Sequence, residues 1–177
     1  FGDVPWYSEV ISDKDWDKLQ APRTPRTVVL DSVMADINYA IDHLPEVKTV
    51  NEISRWTALA LKSRICLFEG TFRKYHTEFK LPEYEAFLDN AIAASKELIE
   101  RSGYKLYNTG HPESDYLNLF ASLNANEDEI ILARAFSDEL QVYHNLNYYT
   151  MTASYGRPGL EKRLVNSYLM RDGSRFT

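Results

Sequence analysis

The sequence predicts a mainly α-helical fold, made of antiparallel helix pairs and followed by a long irregular, loop-rich segment. Apolar residues recur at spacings of three and four in three long stretches of the first hundred residues. The connections between these stretches are short, which favours antiparallel neighbours. Beyond Gly103 the patterns become mixed, and residues 137–158 are rich in Tyr, Asn and Ser.

The first long helix follows an irregular lead-in. Residues 1–23 show no sustained period, and we expect only a short helix there, near Trp16. The helix itself is predicted to begin at Thr24 and Pro25, because Thr is a good N-cap and Pro is favoured at the first helical position. Pro45 is predicted to end it.

The second long helix, Arg55–Tyr75, is predicted to be the central one. Ser54 is a suitable N-cap, and the residues that follow are too uniformly apolar or small for a single stripe. We therefore expect this helix to be packed on several sides by other helices. If Leu61, Ile65 and Leu67 all proved mostly exposed to solvent, this architecture would be wrong.

A third helix should begin at Pro82 and end before Gly103, a plausible residue for the left-handed position after a helix. Asp172 and Gly173 form a predicted turn. Between Gly103 and this turn the patterns are weaker. They predict a short extended piece at 104–107, a short helix at 116–123, a strand or buried extended segment at 129–134, and a last helix at 161–170.

Composition excludes several classes of function. The chain has 177 residues, with 20 Lys and Arg against 26 Asp and Glu, a net charge of −6. An acidic chain does not suit nucleic acid, which requires a basic face. No apolar run is long enough to span a bilayer, so any membrane attachment should lie outside these residues. The single cysteine, Cys66, is expected to be a buried, inert thiol.

No catalytic, nucleotide-binding or metal-binding motif is present, and we predict neither enzymatic activity nor a cofactor. The four histidines are scattered along the chain and predict no metal site: His43, His76, His111 and His144. Acidic runs at 127–129 and 138–139 are expected to be solvated loops. Because a glycosidase pair is defined in space, the sequence leaves that alternative open.

The loop-rich segment holds the best candidate binding site. A sugar presents an apolar face to an aromatic ring, and hydroxyl groups at its edge to amides, imidazoles or hydroxyls. Long irregular loops on rigid scaffolds often carry binding residues. The alternative for each tyrosine is that it packs the loop onto the helices. The candidate ligand-binding residues, with Asn147 as a further polar partner, are Tyr143, His144, Asn145, Tyr148, Tyr149 and Tyr155.

A second candidate is the basic and aromatic end of the central helix, Arg73-Lys74-Tyr75-His76. It would suit an acidic sugar or a loop of a partner protein. Cations are also favoured at any helix C-terminus, so the cluster has a purely structural interpretation as well.

Separated motifs give the chain a family resemblance. They are, besides the central helix, Phe1-Gly2-Asp3-Val4-Pro5, Pro22-Arg23-Thr24-Pro25-Arg26, Leu164-Val165-Asn166-Ser167-Tyr168 and Arg171-Asp172-Gly173-Ser174-Arg175-Phe176. In this order they resemble the SusD/RagB family of nutrient-binding lipoproteins. Members of that family are a few times longer, so we expect this chain to be an internal portion of a larger single-domain protein.

The resemblance implies tetratricopeptide-like helix pairs and a loop-rich part that carries the ligand site. The expected divisions of the chain are the irregular lead-in at 1–23, the helix-pair region at 24–123 and the loop-rich segment at 124–177. The resemblance also implies a lipoprotein at the outer-membrane surface that captures oligosaccharides, or in some members peptides, and partners a TonB-dependent transporter barrel. The alternative from another class is a helical-repeat scaffold that binds only proteins. A scaffold should present its aromatic residues along a helical face, and a sugar binder should present them from loops.

Overall fold

A computed structural model describes residues 2–155 and 159–175 of the chain. The chain divides into two compact units, Phe1–Arg134 and Ala135–Thr177, which we describe separately. Within the described residues the regular structure is helical, and β-pairing is limited to isolated bridges. The prediction of a mainly α fold is confirmed. The helices are α1 (Trp16–Leu19), α2 (Arg26–His43), α3 (Arg55–Tyr75), α4 (Tyr84–Arg101), α5 (Pro112–Ala121), α6 (Leu146–Met151) and α7 (Lys162–Ser167), with a 3₁₀ turn at Thr77–Phe79.

Helices α2 and α4 both pack antiparallel to α3. The start of α3 meets the end of α2, where Arg55 donates to the carbonyl oxygen of Ile41 at 2.9 Å. The hydroxyls of Ser63 and Ser95 are 2.6 Å apart between α3 and α4. This up-down-up order is compatible with the tetratricopeptide-like pairs expected from the resemblance.

The core of the first unit lies where these three helices meet. Leu59 of α3 is 2% exposed and is among the largest fully buried side chains. Around it cluster further buried residues of all three helices: Ile37, Ile41, Trp56, Ala58 and Ala94. Helix α3 contributes seven buried residues, against two each from α2 and α4, so it is the most buried of the three, as predicted.

Two helices pack against α3, as expected, but part of its apolar surface stays uncovered. Leu61 and Leu67 are exposed, Leu67 by 53%, and Ile65 is only partly buried. The reason is that α2 and α4 cover two sides of α3, and no further long helix in the described part of the chain packs against it. Its remaining face therefore meets solvent.

Gly70 allows a close approach between α3 and Leu88 of α4. A Cβ atom at this position would lie 2.7 Å from Cδ2 of Leu88 and 3.1 Å from its backbone nitrogen. Such contacts are too short for carbon, so only glycine fits without movement.

A residue of the lead-in that is distant in sequence caps the start of α2. Helix α2 begins at Arg26, with Pro25 and not Thr24 at the N-cap position, so the predicted start was one residue early. Oδ1 of Asp3 accepts a hydrogen bond from the backbone N–H of Arg26 at 2.9 Å. Thr24 instead pairs with Val4 in an isolated bridge. A carboxylate at the start of a helix also complements its dipole.

The predicted bounds of α3 are confirmed at both ends, and the N–H of Ser54 donates to Oγ1 of Thr57 at 3.3 Å. Helix α4 begins at Tyr84, two residues later than predicted, because Glu83 has a φ of +65° that is not helical. Gly103, with φ +74°, follows the helix as predicted.

The later part of the first unit differs from prediction in detail. The helix expected at 116–123 is α5, which begins earlier, at Pro112. Residues 129–134 form no strand; the segment begins in a turn, bends at Ile131 and is partly buried at four of its six residues. The N–H of Ala133 donates to the carbonyl oxygen of Val50 at 2.7 Å, which fixes this segment to the connection before α3.

A buried ion cluster links α2, α3 and the chain before α4. Glu69 is 1% exposed, and both of its carboxylate oxygens accept hydrogen bonds from Arg26. Arg73 donates from Nε to Glu69 at 2.7 Å and from its guanidinium to the carbonyl oxygen of Pro82 at 2.6 Å. Burial alone would raise the pKa of Glu69, but the hydrogen bonds from both arginines outweigh it and the pKa is lowered.

The second unit has no buried residue among those described, and α6 and α7 are each six residues long. Helix α6 lies inside the stretch predicted to be one long loop, so that prediction was wrong for residues 146–151; residues 156–158 of the stretch lie outside the described part. Antiparallel bridges join Ser137 to Val142 and Leu169 to Arg175. Gly173, at φ +82°, makes the predicted turn. No helix in the described ranges is long and apolar enough to cross a membrane.

Candidate functional site

Helix α6 organises the candidate binding residues of the second unit. Asn145 is its N-cap residue, and its carbonyl oxygen accepts from the N–H of Tyr149 at 3.0 Å. The helix ends at Met151, and the carbonyl oxygen of its C-cap residue, Thr152, accepts from the N–H of Tyr155 at 3.1 Å. This turn directs the chain back, so that Tyr155 meets the tyrosines of α6.

Three tyrosine rings form one cluster on this unit, which we call the tyrosine cluster: Tyr148, Tyr149 and Tyr155. Their centroids are 5.8 Å apart for the first pair, and 5.1 Å from each of these rings to Tyr155. The hydroxyls of Tyr148 and Tyr155 are 3.4 Å apart, and this hydrogen bond, with a smaller contribution from burial, raises the pKa of Tyr148. Each of the three rings is at least 40% exposed.

A small pocket of about 300 Å³ lies in the same unit. It is lined by Phe136, Ser137, Asp138, Val142, Tyr143, His144 and Asn147. The rings of Phe136 and His144 meet at 83° with centroids 4.9 Å apart, and so form two walls at a right angle. Tyr143 is 61% exposed. The N–H of Leu146 donates to Nδ1 of His144 at 3.3 Å, which requires that nitrogen to be unprotonated.

The predicted residues therefore separate into two groups. Tyr143, His144 and Asn147 line the pocket, and the other three tyrosines form the cluster. Asn145 belongs to neither group and has a structural position at the start of α6. Tyr143, an exposed tyrosine, lies beside His144 and Asn147 in the lining of this pocket.

Sequence reasoning missed Phe136, Asp138 and Val142 as pocket residues. They lie on a turn closed by reciprocal backbone hydrogen bonds between Ser137 and Val142, at 3.1 and 3.0 Å. Gln141 has a φ of +52°, a conformation that its residue type does not signal. The acidic pair at 138–139 was the one local clue, and it is typical of any solvated turn.

The second candidate, at the end of α3, is not a free basic cluster. Arg73 is buried in the ion pair with Glu69, whereas Lys74, Tyr75 and His76 are exposed. His76 is 2.8 Å from Glu78 through Nδ1. A larger, mainly aromatic pocket of about 610 Å³ lies nearby, between Arg26, Phe68, Phe72 and Phe79.

The acidic run at 127–129 has structural partners. Asp128 pairs with Lys48 at 3.4 Å and with Lys105 at 3.5 Å, and Glu129 accepts from the N–H of Tyr107 at 2.6 Å. Among the described residues, no group of three His, Cys, Asp or Glu side chains has the geometry to hold a metal ion.

An apolar groove of about 560 Å³ follows the exposed sides of α3 and α4. Leu67, Ile92 and Ile99 line it and are each more than half exposed. Lys96 and Glu100 lie beside these residues in the lining.

Neither the comparison with protein-family models, nor that with curated proteins, nor that with solved structures finds a match for this chain.

Proposed function

We propose that this protein binds oligosaccharides at the cell surface and passes them to a TonB-dependent outer-membrane transporter, without making or breaking bonds. The observation that carries the proposal is the tyrosine cluster, three exposed rings within 6 Å of one another beside a polar pocket. Rings of this kind offer an apolar surface to a sugar and a hydroxyl at its edge.

The placement of the tyrosine cluster suits a sugar binder, since its rings lie on one short helix and the turn after it. Helix α3 carries a second aromatic surface, with Phe68 and Phe72 one turn apart, which suits the protein-binding alternative. The cellular part of the proposal, an outer-membrane lipoprotein with an anchor outside these residues, rests on the resemblance to the SusD/RagB family. The groove on α3 and α4 offers a face for the transporter.

Affinity at such an open site should be weak. Net hydrogen bonds contribute about 0.5–1.5 kcal/mol each, and an exposed stack adds little more. A protein anchored beside a transporter compensates through effective concentration, because the ligand is held near the pore even when each binding event is brief.

Calorimetry with a panel of neutral oligosaccharides tests the proposal. Tyr149→Ala and Tyr155→Ala should each weaken binding severalfold and leave the melting temperature nearly unchanged, because both rings are exposed. Tyr39→Ala is a matched control, since Tyr39 is also exposed and packs on a ring, that of His43, but on α2. If all three variants bind alike, or if the cluster variants lower only the melting temperature, the tyrosine cluster is not a sugar site.

A separate experiment tests the proposal that the protein does not hydrolyse its ligands. Purified protein should leave the same oligosaccharides intact over many hours. Sustained hydrolysis that a single carboxylate substitution abolishes would contradict a purely binding role.

A second candidate function, a scaffold that binds only proteins, is favoured by the exposed apolar groove on α3 and α4. Ile92→Glu places a charge in this groove and should abolish binding of a protein partner while leaving sugar binding unchanged. A protein that binds partners through this groove and binds no oligosaccharide would be a scaffold.

A further inference from the structure

We propose that the pocket beside the tyrosine cluster selects oligosaccharides that carry a positively charged amino group. This inference rests on the proposed function and specifies its ligand. It concerns the corner made by Phe136 and His144, with Tyr143 and Asp138 in the same lining.

The shape of the pocket suits a compact cation. Two aromatic walls meet at 83°, and a third exposed ring, Tyr143, lines the same space. The faces of aromatic rings attract cations, and several rings around one small volume are a common way to bind an ammonium group. The pocket, at about 300 Å³, is at the lower end of the range for small-molecule sites.

The formal charge in the described lining has the matching sign. Among the lining residues, Asp138 carries a formal negative charge, and His144 accepts a hydrogen bond at Nδ1 from the N–H of Leu146. An ammonium group entering the pocket would gain a favourable electrostatic interaction, and the carboxylate of an acidic sugar would be repelled.

The tyrosine cluster explains why the cation should belong to a sugar chain. Asn147 lines the pocket and Tyr148, the next residue of α6, belongs to the cluster. Consecutive residues of a helix lie about 1.5 Å apart along its axis and point about 100° apart around it, so the pocket and the cluster lie on adjoining sides of α6. One oligosaccharide can then place an amino-substituted ring in the pocket and a following ring on the tyrosines.

The test uses three β-1,4-linked tetrasaccharides that differ at one substituent: glucosamine with its nitrogen quaternised, N-acetylglucosamine and glucose. Quaternisation fixes the positive charge at every pH. The quaternised ligand should bind on the order of tenfold more tightly at low salt, and the preference should fall towards onefold in about 1 M NaCl, where exposed charges are screened.

Asp138→Asn should remove the preference and retain binding of the neutral tetrasaccharide. Glu139→Gln is the matched control, because Glu139 is adjacent in sequence but does not line the pocket. Neutral binding without a preference, or a preference that survives in Asp138→Asn, would overturn this inference and leave the proposed function intact. Failure to bind any of the three sugars would overturn both. Tighter binding of a short lysine peptide than of the quaternised sugar would show that the cation comes from a polypeptide and overturn the assignment to a sugar.

Discussion

The two units of this chain use their side chains in opposite ways. Phe1–Arg134 buries Leu59, Cys66 and Glu69 almost completely, whereas each described residue of Ala135–Thr177 keeps part of its surface in water. Burial of apolar surface is the main source of stability, so the first unit should determine the free energy of unfolding. The second unit is held by backbone turns and ring contacts, and its exposed rings remain available to a ligand. Substitutions in the first unit should therefore change mainly stability, and substitutions in the second unit should change mainly ligand binding.

The largest effect is expected at the buried ion cluster. Glu69→Gln leaves Arg26 and Arg73 without a compensating charge in a buried site, and should lower the free energy of unfolding by about 3–5 kcal/mol at neutral pH. Urea titration measures this. In the matched control, Glu97→Gln affects a more exposed carboxylate, which pairs with Arg55 and Arg101, and should cost about 1 kcal/mol or less.

The same carboxylate predicts a pH dependence. Because the folded pKa of Glu69 is lowered from its ordinary value of 4.5, its contribution is fully present above that value and is lost as the pH falls through the folded pKa. The stability difference between the native protein and Glu69→Gln should therefore shrink in acid. A difference that stays constant with decreasing pH down to acid unfolding would show that the ion pairs are not its cause.

Two leucines of one helix provide the next test. Leu59→Ala should cost about 2–5 kcal/mol, because it opens a cavity in the core. Leu67→Ala should cost about 1 kcal/mol or less, although its place in the apolar run suggested a core residue, because this side chain is half in solvent. Equal costs in urea titration would mean that another surface covers Leu67 in solution.

Gly70→Ala should lower the free energy of unfolding by about 1–3 kcal/mol, because its new methyl group meets Leu88 and forces α3 and α4 apart. Gly2→Ala is the control, since a Cβ there meets nothing within 4 Å. If Gly70→Ala leaves the free energy of unfolding unchanged, the contact between α3 and α4 can rearrange at little cost.

The smallest effect on stability is expected in the second unit. Tyr148→Phe removes the hydroxyl that contacts Tyr155, and should change the free energy of unfolding by less than about 0.5 kcal/mol. It should still alter oligosaccharide affinity if that hydroxyl also contacts the ligand. A large loss of stability would indicate that the tyrosine cluster is structural.

The sequence predicted features encoded by neighbouring residues. Both ends of α3 and the turn after α4 follow from local capping and glycine conformation. The cap of α2 did not follow, because its acceptor is Asp3, which lies 23 residues earlier in the chain. The exposure of Leu67 did not follow either, since an apolar run does not specify how many helices will cover it.

The candidate site shows the same limit. Its tyrosines were identified by composition, but α6 is too short to produce a helical period, and so its place in the loop was missed. The pocket depends on Phe136 and Val142, which a turn brings to His144. Contacts that are made by a turn, or by residues far apart in the chain, leave no periodic signal in the sequence.

The burial of Cys66 has a practical consequence. It is the single cysteine of the chain, its thiol lies 3.7 Å from the sulfur of Met34, and burial raises its pKa. A thiol reagent can reach it only when α2 and α3 separate. The rate of labelling therefore records, at one atom, how often the helical unit opens, and an oligosaccharide held only by the second unit should leave that rate unaltered.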